Sequence, residues 1–148
     1  MMAKSQDIVV LLKWLSSPNI HTYSDLANEL GMSVGEVHAA SQRAEKAGLF
    51  DAKKKKPKAH ALLEYLLHGV KYAFPATLGA PVRGVPTSYA APVLSDYFGS
   101  VSDKSLPPVW PDPDGKVRGY AMEPLFGNVP YAVGRDQRLY EYWPLWMQ

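Results

Sequence analysis

The chain has 148 residues, 47% hydrophobic, 20% charged and 11% aromatic, with a formal net charge of +2 and no cysteine. That length supports one true core, so one domain, or one domain with an appended segment, is expected. The missing cysteines exclude disulfide scaffolds, zinc ribbons and fingers, and thiol catalysis, and no stretch reaches the ~18–20 apolar residues of a membrane helix. The opening Met-Met-Ala-Lys-Ser-Gln-Asp lacks the basic-then-apolar layout of a secretory leader. A soluble, cytoplasmic protein with no membrane partner is expected. Residues 1–60 hold nine Lys/Arg against six Asp/Glu, whereas residues 61–148 hold seven against eight. Eleven of the 13 prolines follow residue 60, which disfavours helices longer than three turns from Pro75 to Pro130.

In chain order, Asp7 to Leu15 predicts a helix with Ile8, Leu11, Leu12 and Leu15 on its apolar face. Ser16-Ser-Pro-Asn19 ends it. A second helix is predicted from about Tyr23 to Leu30, capped by Thr22 or Ser24, with Leu26, Ala27 and Leu30 inward. Gly31 stands where a helix end favours positive φ. Ser33 and Glu36 form a capping box that opens a third helix, Val34 to about Ala47, with Val34, Val37, Ala40 and Ala44 inward. Gly48 stops it. Leu49-Phe-Asp-Ala52 is expected as a short strand, and Lys53-Lys-Lys-Lys-Pro-Lys58 as a cationic hairpin tip.

The spacing of Ala27, Gly31 and Val37 resembles the helix-turn-helix pattern. A small residue lets two helices cross closely, a glycine makes the turn, and a branched residue fills the angle between them. With the following strand and basic loop, residues 5–60 resemble the winged helix-turn-helix transcription regulators, such as the MarR-like factors. The resemblance implies that the third helix enters the major groove of double-stranded DNA. The residues pointing away from its inward face are Ser33, Gly35, His38, Ala39, Gln42 and, toward its end, Arg43 and Lys46. Gln42 can pair bidentately with adenine, His38 can donate to a guanine edge, and Ala39 can meet a thymine methyl. Thr22 and Ser33 suit phosphates, and capping explains Glu36. From Arg43 to Lys58 the chain carries seven basic residues against Glu45 and Asp51. Lys53, Lys54, Lys55, Lys56 and Lys58 are therefore expected on phosphates.

Beyond residue 60 the reading is a helix-bearing, proline-rich extension. Ala59 to His68 is a predicted helix with a wide stripe of Leu62, Leu63, Leu66 and Leu67, capped by Gly69. Val70 to Phe74 alternates like a strand. Thr77 to Pro92 carries too much glycine and proline for regular structure, yet Val82, Val85, Tyr89, Val93 and Leu94 need burial, so an ordered irregular loop is expected. Leu106 to Gly115 reads as extended and then turning at Pro-Asp-Gly, with a strand leaving at Lys116 to Tyr120. A last helix is expected within Val129 to Tyr142, before an aromatic end, Trp143-Pro-Leu-Trp-Met-Gln148, that calls for burial in a core, a dimer or a partner. Three segments, Tyr72-Ala-Phe-Pro75, Arg83-Gly-Val-Pro-Thr87 and Pro107-Pro-Val-Trp-Pro111, are loosely similar to those of small winged-helix partners of nucleotidyltransferase-type abortive-infection toxins. That similarity implies a protein partner and carries over no site residues.

Catalytic chemistry has no constellation in this sequence. His21, His38, His60 and His68 lack the spacing of a zinc helix, and a turn accounts for Asp112 and Asp114. No phosphate-binding glycine loop is present; Arg83 and Arg118 can bind an anion, although exposed arginines are common. The expectation is an α+β protein, with residues 1–60 a winged helix-turn-helix DNA-binding module and residues 61–148 an irregular extension for dimerisation or partner contact. It is expected to repress transcription as a homodimer, without catalytic residues, cofactor or metal. The alternative expectation is an antitoxin-like or adaptor protein whose C-terminal region grips another protein.

Overall fold

The computed structural model of the chain describes residues 3–17, 19, 22–87, 90–91, 106–124, 129 and 136. The order of elements is α1 (Ser5–Ser16), α2 (Tyr23–Leu30), α3 (Val34–Lys46), β1 (Phe50–Asp51), β2 (Lys56–Pro57), α4 (Ala59–His68), α5 (Val70–Ala73), β3 (Leu78–Pro86), β4 (Pro108–Pro111) and β5 (Val117–Met122). The protein is mixed α+β.

Helix α1 is the centre of the helical region. Ile8, Val9, Val10, Leu11, Leu12 and Trp14 are all buried, and so are Asp7 and Lys13. A one-faced amphipathic helix was the expectation from Ile8, Leu11, Leu12 and Leu15, but a helix apolar on nearly every side is surrounded rather than docked. Leu15, expected inward, is the exception and stands exposed. Helices α2 and α3 and strand β2 contact α1 directly. The two buried charges are both matched. Arg43 of α3 reaches Asp7, and Lys13 donates to Asp136 Oδ2 at 2.6 Å, with Glu29 Oε2 at 3.6 Å. Unpaired, either charge would be expelled from such a site.

Thr22 opens α2 by accepting the Asp25 N–H at 3.1 Å. Gly31 closes it in the left-handed region at φ 66, where a side chain would be strained. The Ser33–Glu36 capping box then forms as its residues dictate: Ser33 N donates to Glu36 Oε2 at 2.8 Å and Glu36 N to Ser33 Oγ at 3.2 Å. From there α3 buries Val37, Ala40, Ser41 and Ala44, one stripe at helical spacing. Val34, expected inward, instead lies exposed on the first turn.

The predicted hairpin is present in its shortest form. β1 and β2 pair antiparallel through Phe50↔Pro57 and Asp51↔Lys56, and Lys58 N donates to Leu49 O at 2.8 Å to seal its base. Phe50 turns inward onto Trp14, ring centroids 5.0 Å apart, and Trp14 meets Tyr23 edge to face at 5.7 Å.

The second half departs further from the expectation. α4 is helical as predicted, but of its four leucines only Leu62 is fully buried, while Leu63 and Leu67 are half exposed. Val70–Ala73 is a short helix, α5, and not a strand: Val70 alone is buried, so the alternation of apolar residues here reflects one helical anchor. The stretch expected to be irregular contains the nine-residue strand β3. β3 pairs antiparallel with both β4 and β5, and β4 pairs parallel with β5, so the three strands close on themselves.

Proline and glycine are compatible with this sheet because of where they fall. Pro86, Pro108 and Pro111 lie at strand ends, and Pro81 sits at the register shift between Leu78 and Pro81, where a missing N–H does least harm. Gly84 and Gly119 are buried where the strands meet. A Cβ on Gly84 would collide with the Trp110 carbonyl, and one on Gly119 with the Pro107 carbonyl.

β4 and β5 form where Leu106–Gly115 and Lys116–Tyr120 predicted extended chain, and Asp112 Oδ1 accepts the Asp114 N–H at 2.9 Å in the turn between them. The core does not stop at residue 60. Leu62, Val70, Trp110 and Val129 join the α1–α3 residues in one buried cluster. The last predicted helix and the aromatic end, apart from Val129 and Asp136, lie outside the described residues, as do His21, Tyr89, Val93 and Leu94. No helix among the described residues is long and apolar enough to cross a membrane.

Candidate nucleic-acid interface

With Val37, Ala40 and Ala44 turned into the core, α3 presents the opposite stripe to solvent. Gly35, His38, Gln42 and Lys46 are exposed, with Ala39 half-buried between them. Positions 35, 38, 39, 42 and 46 follow the three- and four-residue steps of one helical face. Ser33 stands exposed at its N-terminal end and Thr22 at that of α2. Both hydroxyl oxygens accept a backbone N–H; the Thr22 O–H is left to donate to a phosphate, while that of Ser33 is shared with the Glu36 carboxyl.

Two of these residues have company. The His38 ring lies edge-on to Tyr23, centroids 5.3 Å apart, which fixes its direction on the helix while leaving it exposed. Glu36, the acid on the first turn, is engaged by Ser33. The Ser33 N–H, then its hydroxyl, hold the Glu36 carboxyl below its ordinary value, so it serves the helix end as an anion at neutral pH.

Arg43 requires a correction. The expectation placed it on the exposed side near the end of α3, but its side chain is buried and forks onto Asp7 of α1. Nε donates to Oδ2 at 2.9 Å and to Oδ1 at 3.1 Å, and a terminal nitrogen donates to Oδ1 at 2.7 Å. Asp7 is 1% exposed, and Lys4 N donates to its Oδ2 at 2.8 Å. A guanidinium committed twice to a buried carboxylate is not available to a base or phosphate. Burial, then the Asp7 charge, holds the nearby Tyr65 phenol above its ordinary value.

The hairpin tip is built to display lysines. Asp51 Oδ1 accepts the N–H groups of Lys53 and Lys54 at 3.0 and 3.1 Å. Those bonds, Lys54 first, hold its carboxyl below the ordinary range. Asp51 thereby folds the tip rather than pairing with a lysine side chain. Lys55 takes the left-handed position, φ 49, which most residues avoid. Lys53, Lys54, Lys55, Lys56 and Lys58 are all exposed. With Arg43 removed, residues 44–58 still carry six lysines against Glu45 and Asp51, a net of +4.

His60 and His68 are exposed on α4, and no group of three His, Asp or Glu among the described residues is placed to hold a metal. Arg83 and Arg118 are exposed on β3 and β5. Compared with known proteins, the chain matches no family model, and no curated protein or solved structure is significantly similar to it.

Proposed function

We propose that the chain is a winged helix-turn-helix regulator of transcription, a cytoplasmic repressor that grips double-stranded DNA as a homodimer. In this reading residues 1–60 are the DNA-binding module, α3 is the recognition helix, and the β1–β2 hairpin is the wing. The observation that carries it is that α3 buries one stripe and leaves the other to solvent, while the hairpin that follows it exposes every lysine of its tip. Gly35, His38, Ala39, Gln42 and Lys46 share one face of α3, Lys53–Lys56 and Lys58 are exposed on the hairpin, and the acids Glu36 and Asp51 are engaged by backbone N–H groups. Gln42 reads an adenine edge, His38 a neighbouring base, and the lysines, Ser33 and Thr22 hold phosphates.

Two half-sites require two recognition helices about 34–36 Å apart. Residues 61–148 supply that spacing through α4, whose half-exposed Leu63 and Leu67 lie one turn apart and form the seed of a two-fold contact. A standard interface buries roughly 800 Å² per subunit.

The test is enrichment of random duplexes by the full chain, followed by binding of the selected site across salt concentrations. Replacing Lys53, Lys54, Lys55 and Lys56 with Ala should weaken every duplex alike and flatten log K against log salt by up to ~0.9 per lost contact. An unchanged slope removes the wing from the interface. The second reading, an antitoxin-like or adaptor protein, rests on the exposed apolar side chains of α4 and α5: Leu63, Leu67 and Tyr72, the last 78% exposed. A full chain that stays monomeric in solution and enriches no duplex favours that reading.

A further inference from the structure

Strands β3 and β5 bring together two arginines that lie 35 positions apart in the sequence. In the antiparallel register Arg83 stands directly opposite Arg118, and Pro81 opposite Tyr120. Directly opposed residues project from the same side of a sheet, with Cβ atoms roughly 4.5–5.5 Å apart. The buried neighbours Gly84 and Gly119 mark the inner side of the closed sheet, so Arg83, Arg118 and Tyr120 share the outer one, where all three are exposed.

Like charges directly opposite each other weaken a strand pair. Among the described residues neither guanidinium has an ion-pair or hydrogen-bond partner. In the flanking turn Asp112 Oδ1 accepts the Asp114 N–H at 2.9 Å, while Asp112 N donates to the backbone carbonyl of Arg83 at 3.1 Å. That last bond fixes the strand at Arg83. Two guanidiniums side by side on a rigid ladder form a double fork, suited to a bridging oxyanion whose oxygens each receive paired N–H donors.

Tyr120 specifies which oxyanion. It follows Arg118 by two residues on the same face, about 6.6 Å along the strand, and the residue is 39% exposed. An aromatic ring one step from a phosphate clamp suits a base attached to that phosphate. We infer that the β3–β5 face binds single-stranded nucleic acid, with Arg83 and Arg118 clamping a backbone phosphate and Tyr120 stacking on the neighbouring base. This site uses none of the residues of α3 or the lysine tip, and it stands whether or not those bind duplex DNA.

The test measures binding of a labelled oligothymidylate of about a dozen nucleotides to the full chain in which Lys53–Lys56 and Lys58 are Ala, so that the tip lysines contribute nothing. In that background Arg83→Gln with Arg118→Gln should weaken binding at least tenfold and flatten the salt dependence by ~0.7 per phosphate released. The Arg83→Lys, Arg118→Lys pair keeps both charges without the forks, and should restore the slope but only part of the affinity. Tyr120→Ala should weaken binding about fivefold or more with the slope unchanged. Each variant's thermal unfolding is measured alongside, and the lysine pair carries the test if the glutamine pair is poorly folded. Undiminished binding in the arginine and tyrosine variants overturns the inference. So does an arginine-dependent response to inorganic phosphate with none to the oligonucleotide.

Discussion

Helices α1 and α3 are nearly equal in length, 12 and 13 residues, and they sit in the fold in opposite ways. α1 buries nine of its residues, including a lysine and an aspartate, and is enclosed on nearly every side. α3 buries five, four of them along one stripe, and leaves its other face to water. Folding alone explains α1 completely. It explains only half of α3, and the unburied half is where Gln42, His38 and Lys46 are found. The same contrast separates the basic residues: Lys13 and Arg43 are spent inside on Asp136 and Asp7, while those of the hairpin tip are held out by a turn. Charge in this chain therefore has two uses, and burial distinguishes them where sequence does not.

The contrast breaks most visibly at Val37, which is 0% exposed on the inner stripe of α3. Val37→Asp places an unpaired carboxylate between helices and should cost on the order of 4 kcal/mol or more, read as loss of the unfolding transition in denaturant. Arg43 gives a sharper test because it decides between the two uses. If it belongs to the core, Arg43→Ala strands the Asp7 carboxylate and costs about 3–5 kcal/mol. Arg43→Met combined with Asp7→Leu should recover most of that loss, and the folded double variant should bind DNA with an unchanged salt slope. Loss of affinity without loss of stability would return Arg43 to the interface.

At the tip the effect is smaller and its two parts run in opposite directions. Lys55 occupies a left-handed position, so Lys55→Gly should raise stability by up to about 1 kcal/mol while weakening duplex binding. Thermal unfolding and a salt titration of the same variant separate the two. A destabilised variant would mean that the Lys55 side chain supports the turn.

How far the sequence could be read follows from the range of the interactions involved. The N-terminal helices were legible because their signals are local: the Thr22 cap, Gly31 and the Ser33–Glu36 box form within a few residues of chain, and each forms as its pattern implies. Arg43 was misplaced because its partner lies 36 residues away, and helical phase alone puts it on the border between the two faces. Leu15 and Val34 erred for a related reason, since periodicity gives a face but not what covers it. In the second half, glycine and proline density argued for loop. The strand β3 forms nonetheless, because Gly84 and Gly119 admit neighbouring backbones and the prolines fall at ends and at the register shift. Those are relations between distant segments. The opposition of Arg83 to Arg118 is another of the same kind: each arginine was visible in the sequence, and their register was not.

The measurement that bears most directly on the central claim, that the open face of α3 reads DNA, is the base preference of Gln42→Ala on duplexes enriched by the parent chain. Gln42 is exposed and is not among the buried residues of α3. The account predicts lost discrimination at one position of each half-site, worth about 1–3 kcal/mol, with unfolding unchanged to within about 0.5 kcal/mol. Base preferences identical to the parent at every position, in a variant that folds and binds equally well, would contradict it.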